Sequence, residues 1–183
     1  GAIELWDTAT GQMKSRIGEL NGTPMFVDGG RSLVAARHPE LWRWPVPQAS
    51  APQPFFRLPP QVYGVACSRD GRTLAIGYED ARLELVEVAS GRVTRLVGHE
   101  LAVTCADFSP DGRTLASGGA DGALRLWSVA AGQELYALER RTDGDIRRVV
   151  FSPDGLALAA AGRDGTGGAV SFWEIGPAKK APR

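Results

Sequence analysis

His99, Ser117 and Asp121 occur close together in the chain, and they are the residue types that make a serine hydrolase work. In such a set the imidazole takes the hydroxyl proton and the carboxylate orients the imidazole. No Gly-x-Ser-x-Gly elbow presents Ser117, which sits in Leu115-Ala116-Ser117-Gly118-Gly119. The trio is therefore expected not to be catalytic, and the chain not to be an enzyme. Asp107, just before Phe108, is expected at a turn or rim rather than as a base. The only two histidines, His38 and His99, lie far apart, and neither has a close Cys/His pair, so no metal site and no cofactor are expected. Gly162-Arg163-Asp164-Gly165-Thr166-Gly167-Gly168 is glycine-rich. It lacks the Gly-Lys-Ser/Thr ending of a phosphate loop and no helix follows, so it reads as a long hairpin turn. Arg140-Arg141 and Arg147-Arg148 flank Asp143-Gly144-Asp145 and read as solvated rims, with an acidic or phosphorylated partner as the alternative. Trp42 and Trp44, two apart, share a strand face. Packing between neighbouring repeats is expected for them, with an exposed aromatic patch as the alternative.

The elements that position these residues follow from an internal repeat. Asp-Gly recurs at 28–29, 70–71, 111–112 and 154–155, at spacings of 42, 41 and 43 residues. Phe108-Ser109-Pro110 and Phe151-Ser152-Pro153 precede two of them. Trp44, Val86, Trp127 and, after three extra residues, Trp173 follow. Asp-Gly suits the positive φ of a tight turn. In the cleanest copy Val103–Ser109, Thr114–Gly118, Leu124–Val129 and Glu134–Leu138 read as four short strands. Regular strands with Gly-rich turns and no helical period indicate an all-β fold. Pro45, Pro47, Pro52, Pro54, Pro59 and Pro60 crowd one connection. Proline lacks the ladder N–H, so only an edge strand or an extended loop is expected there.

Composition narrows the function classes. Lys plus Arg and Asp plus Glu balance at 21 each, for a net charge of zero, which argues against a nucleic-acid partner. The longest apolar run, Leu156–Ala161, is too short to span a bilayer. Cys67 and Cys105 make no disulfide framework and are expected as buried thiols in a reducing, cytoplasmic compartment. Only Lys14, Lys179 and Lys180 among the 21 basic residues are lysine, a bias that points to a bacterial source. The opening Gly1-Ala2-Ile3-Glu4-Leu5-Trp6 already alternates like a strand, as if cut within one.

Phe-Ser-Pro-Asp-Gly at 108–112 and 151–155, Gly-His at 98–99 and Leu-Trp-Asp at 5–7 resemble the WD-repeat family. Leu-Trp-Ser at 126–128 and Phe-Trp-Glu at 172–174 are near-matches. The resemblance implies a β-propeller of four-stranded antiparallel blades. Here it would be a partial ring of about four to five blades, the first and last incomplete. The boundaries it implies are 1–20 for the end of an incomplete blade and 21–60 for a degenerate blade with the proline-rich loop. Residues 61–98 make a blade, 99–141 the best-matching blade, 142–176 a last blade lacking its fourth strand, and 177–183 a polar tail. By the same resemblance His99, Ser117, Asp121 and Trp127 form a structural hydrogen-bonded chain within one blade. The copy around Asp70 keeps Asp80 but has Leu58, Ile76 and Val86. The last copy keeps Asp164 and Trp173 but has Thr142 and Ala160. Those copies are expected to rely on apolar packing.

The resemblance further implies a non-catalytic protein–protein interaction scaffold. Its partners would be proteins or peptides, with no nucleic acid and no membrane. The docking face would carry the second-to-third-strand turns, exposing Tyr78, Glu79, Glu100, Arg141, Asp143 and Arg163. Unpaired strand edges would favour self-association. The alternatives are a regulatory or sensory tail of a larger bacterial signalling protein such as a Ser/Thr kinase, and an enzyme with a central-channel site.

Overall fold

The computed structural model describes residues 2–17, 24–37, 39–46, 51–138, 144–164 and 167–175. His38, Arg140, Arg141, Thr142, Asp143 and the tail from 176 lie outside the described residues. The chain folds as two compact units, Gly1–Pro60 and Gln61–Arg183. Among the described residues, apart from one 3-10 turn at Asp28–Gly30, the regular structure is all β-strand. Among the described residues no helix is long and apolar enough to cross a membrane.

In unit Gln61–Arg183 the repeated turn sets the register. Ser109 Oγ donates to Asp111 Oδ1 at 2.6 Å and accepts the Thr114 N–H at 3.0 Å. Asp111 Oδ1 also accepts the Arg113 N–H at 3.0 Å. Gly112, at φ +70°, closes the turn on the Ser109 carbonyl at 2.8 Å. Ser68-Arg69-Asp70-Gly71 and Ser152-Pro153-Asp154-Gly155 repeat the same bonds. Each hydroxyl and carboxylate here serves backbone donors that a reversing chain cannot pair in a ladder, which is why Ser and Asp recur at this spacing.

Each turn joins the first two strands of one of three antiparallel meanders. The first contains β7 (Val62–Cys67), β8 (Thr73–Tyr78), β9 (Leu83–Glu87) and β10 (Val93–Leu96). The second contains β11 (Val103–Phe108), β12 (Thr114–Gly119), β13 (Leu124–Ser128) and β14 (Gln133–Leu138). The third has three strands, β15 (Ile146–Phe151), β16 (Ala157–Asp164) and β17 (Gly167–Glu174). β16 runs on to Asp164, which pairs with Gly167. The expected long turn over 162–168 is therefore mostly ladder: Gly162, Arg163 and Asp164 face Ala169, Gly168 and Gly167. Asp164 ends a strand, whereas Asp121 occupies the turn after β12.

β11 lies against β7 on one side and β15 on the other. The sheets approach closely because glycine stands where a side chain would collide. A Cβ on Gly77 would lie 2.6 Å from the Val103 carbonyl oxygen, and one on Gly118 would lie 2.5 Å from Ile146 Cγ2. One core joins Ala66, Ala75, Leu83, Leu85 and Leu96 to Val103, Phe108, Leu115 and Trp127. A second joins Cys105, Ala116, Leu124 and Leu126 to Ile146, Val149, Leu158 and Ala160. The middle sheet thus packs against a neighbour on either side, the packing logic of a repeat array.

In unit Gly1–Pro60, β1 (Ile3–Trp6) pairs with β2 (Met13–Ile17). A four-stranded sheet holds β3 (Met25–Val27), β4 (Ser32–Arg37), β5 (Glu40–Pro45) and β6 (Gln53–Arg57) in that order. Pro54 lies on the edge strand β6 beside a bulge in β5, where proline is tolerated. Ile17, Leu33, Ala35 and Trp44 form the core, with Ile3, Leu5, Trp42 and Val46 against it. Trp42 and Trp44, with ring centroids 6.4 Å apart, are thus spent in packing rather than in an exposed patch. The Asp-Gly turn here lacks the serine. Asp28 itself takes φ +55° and pairs with Arg43.

Candidate functional site

The structure brings His99, Ser117, Asp121 and Trp127 into one hydrogen-bonded chain. His99 arrives from the connection between β10 and β11, Ser117 from the middle of β12, Asp121 from the β12–β13 turn and Trp127 from β13. The Trp127 indole N–H donates to Ser117 Oγ at 2.8 Å. Ser117 Oγ lies 2.7 Å from His99 Nε2, and His99 Nδ1 lies 2.9 Å from Asp121 Oδ2. A carboxylate only accepts, so Nδ1 carries the proton and Nε2 accepts from the serine hydroxyl. Every donor in the chain then has an acceptor, as burial demands. The His99 and Ser117 side chains are out of solvent.

Two glycines make room. A Cβ on Gly119 would lie 2.5 Å from Asp121 Oδ1 and 2.9 Å from His99 Nδ1. One on Gly98 would lie 2.9 Å from the Trp127 ring and 2.8 Å from Glu134 Oε2. Asp121 also holds the neighbouring loops. Its Oδ2 accepts the Glu100 N–H at 3.0 Å and its Oδ1 the Ala123 N–H at 3.0 Å. Desolvation alone would raise the Asp121 carboxyl. The Glu100 and Ala123 N–H groups and His99 outweigh it and hold the carboxyl below its usual value. Desolvation lowers the His99 imidazole against the pull of Asp121, which keeps it neutral at neutral pH.

The blade β7–β10 solves the same place differently. Ile76 and Val86, both buried, stand in register with Ser117 and Trp127. Tyr78 stands where Gly119 does. Expected as an exposed docking residue, Tyr78 is only 2% exposed. The site is therefore corrected: the ring fills the space that glycine leaves open in the next blade. The Tyr78 hydroxyl donates to Glu84 Oε2 at 2.8 Å, and the Arg82 guanidinium sits 4.2 Å from the ring centroid. Desolvation and the Glu84 carboxylate push the phenol up to about 12. This blade thus carries a polar cluster of its own, beyond the apolar packing expected of it.

Of the other expected face residues, Glu79, Glu100 and Arg163 are exposed, while Arg141 and Asp143 lie outside the described residues. Asp107 is neither turn nor rim. It sits within β11, half-buried, and its Oδ2 accepts the Phe151 N–H of β15 at 2.7 Å. Thr104 Oγ1 likewise donates to the Ile146 carbonyl. Both residues strap one blade to the next. Desolvation raises the Asp107 carboxyl against that N–H and the nearby Arg148 and Arg69. Cys105 is buried, and desolvation pushes its thiol up to about 11.

Sequence reasoning missed one feature of this end of the unit. The first strand of each sheet, β7, β11 and β15, begins with a register shift, between Val62 and Gly64, Val103 and Cys105, and Ile146 and Arg148. Such bulges re-aim the residue between them. They leave Tyr63 59% exposed and Arg147 exposed, while Thr104 turns to the neighbouring blade. Three unremarkable residues at one register carried no signal, because a bulge is a pairing property.

The arrangement offers little to a substrate. The serine oxygen is buried and engaged on both sides, so it is not positioned to attack anything. Among the described residues no group of three His, Cys, Asp or Glu side chains is placed to hold a metal ion.

The family described as WD40, WD domain, G-beta repeat, matches residues 90–128 and 132–166. No match was found among curated proteins. A chain in the crystal structure of a mitotic checkpoint complex is similar in fold, at 20% identity and a TM-score of 0.66. The similarity covers 84% of this chain and 47% of that one, so this chain spans about half of that chain's length. The repeated turns and the four-stranded meanders packed face to face agree with these matches: residues 90–128 and 132–166 are similar to WD40 repeats, and the sheets have the fold of part of a β-propeller.

Proposed function

We propose that this chain is a non-catalytic docking platform for proteins or peptides, using the end of unit Gln61–Arg183 that carries the β8–β9 and β12–β13 turns. WD40 repeats generally serve as protein-interaction scaffolds. The observation that carries the reading is the use made of the hydrolase-like trio. His99, Ser117 and Asp121 spend their polar atoms inside the blade, and Asp121 ties down the Glu100 backbone. The network thereby builds a fixed loop, with Val97, Glu100 and Leu101 all exposed around it. A loop held by a rigid scaffold is the usual place for recognition. A photo-crosslinking amino acid at position 101, compared with one at 113 on the opposite end, tests this. Adducts should form from 101 in cells of the source organism. Equal yields from both positions would count against the platform.

A further inference from the structure

We infer that this docking end takes a basic amphipathic peptide segment, with Tyr63, Val97 and Leu101 receiving its apolar side chains and Glu79 and Glu100 its Lys or Arg groups. The inference rests on the docking reading above and names the chemistry of the partner.

The surface is continuous across two blades. Val62 pairs with Tyr78, and the Glu79 N–H donates to the Gln61 carbonyl at 3.3 Å, which sets Glu79 beside the start of β7. Tyr63 is the bulged residue there. Its neighbour Gly64 lies so close to β11 that a Cβ would be 3.0 Å from the Thr104 backbone. From Thr104 the surface passes to Ala102, whose carbonyl accepts the Ala120 N–H at 2.8 Å, and so to Leu101 and Glu100 beside Asp121. Val97 follows Leu96, which pairs with Leu83 next to the β8–β9 turn. Tyr63, Val97 and Leu101 are 59%, 79% and 56% exposed. Apolar side chains grouped on one end of a folded unit mark an interaction site more often than scattered ones do.

The charges around this group select the partner. Asp80 is bound to Arg82 at 2.7 Å, and Glu84 is shared by Arg82 and Arg95. Those four groups balance one another. Glu79 and Glu100 make no ion pair among the described residues, so the apolar group keeps an acidic rim. On the next blade Arg147 pairs with Asp145 at 2.7 Å, and Arg163 is exposed. A cation is favoured over the rim formed by Glu79 and Glu100. Complementary charge at a rim sets orientation and rejects wrong partners.

Fluorescence anisotropy with three labelled peptides of equal length tests this on the whole chain. One alternates Lys and Leu in amphipathic order, one replaces Lys with Glu, and one replaces Leu with Ser. The Lys/Leu peptide should bind best. Its affinity should drop by about tenfold or more in the Glu79→Lys/Glu100→Lys variant and in Tyr63→Ser/Leu101→Ser. Arg113→Glu, on the opposite end, should leave it unchanged. All five positions are exposed, and matched thermal melts confirm that each variant is folded. Preference for the Glu/Leu peptide, still lost in Tyr63→Ser/Leu101→Ser, would overturn the charge assignment and leave the docking face standing. Binding that ignores both double variants but responds to Arg113→Glu would reject the docking face itself.

Discussion

The first three strands of blades β7–β10 and β11–β14 share lengths, turn bonds and register, yet the two blades fill the same interior site with opposite chemistry. In one, Gly119 leaves a space that a histidine and an aspartate occupy, with Ser117 bonded to the histidine. In the other, Tyr78 fills that space and delivers a single hydroxyl to Glu84. The repeat therefore dictates backbone and turns, while the plug beneath the turn is free to vary if its polar atoms are satisfied. Satisfaction is the common rule, because an unpaired buried donor costs about 1–3 kcal/mol.

Exchanging the plugs should break the two blades most severely. A Tyr at 119 must displace Asp121 and His99, since its Cβ alone would lie 2.5 Å from Asp121 Oδ1. Gly119→Tyr should cost more than about 4 kcal/mol, the range reserved for overpacking combined with orphaned polar groups. The reciprocal Tyr78→Gly leaves a void and should cost about 3–5 kcal/mol. Chemical denaturation of each variant measures both. If Gly119→Tyr were tolerated, the two sites would be interchangeable and the contrast would fail.

Removing one atom from each plug gives a smaller and sharper difference. Ser117→Ala orphans the Trp127 N–H and the His99 Nε2 together, for a loss of about 2–4 kcal/mol. Tyr78→Phe leaves Glu84 with Arg82 and Arg95 close by, so about 1 kcal/mol is expected. Equal losses in denaturant melts would mean that the two networks bear equal weight.

How much of this was legible in the sequence divides along the same line. The repeat of Asp-Gly turns exposed the all-β architecture, because the turn bonds are local and need Ser, Asp and Gly at fixed spacing. Trp127 and His99 could be paired only through the family pattern, since nothing local brings residues so distant in sequence together. Tyr78 was misplaced for a related reason. An aromatic next to a Glu-Asp turn looks exposed until the pairing of β8 and β9 turns it inward against Glu84. Asp107 was misread because its partner, the Phe151 N–H, belongs to the next blade. The extension of β16 was hidden by glycines that read as turn formers but pair in the ladder.

Acid should separate the blades next. Burial holds folded His99 below the ordinary imidazole value of 6.5, so the unfolded chain binds a proton that the folded chain refuses. Stability is complete above 6.5 and falls as the pH drops from there toward the folded value, by up to about 1.4 kcal/mol per pH unit. Asp121, lowered from 3.8, adds a loss only in stronger acid. Urea melts at about pH 7.5 and about pH 5.5 should show this drop, and His99→Gln should flatten it. A wild-type chain equally stable at both values would overturn the assignment of a neutral, desolvated His99.

The smallest effect is expected at the strap between blades. Ala66 of β7 stands in register with Asp107 of β11, so the joint between β11 and β15 carries a carboxylate that its counterpart lacks. Burial raises Asp107 from 3.8. The charged form is therefore a net cost to folding, relieved as the pH falls through the raised value, opposite in sign to His99. Asp107→Asn keeps an oxygen for the Phe151 N–H and removes the charge, so it should change stability at neutral pH by less than about 1 kcal/mol. Asp107→Ala removes the acceptor and should cost about 1–3 kcal/mol. If Asn were as damaging as Ala, the charge itself, through Arg148 and Arg69, would hold the joint. The bond to Phe151 would then be secondary.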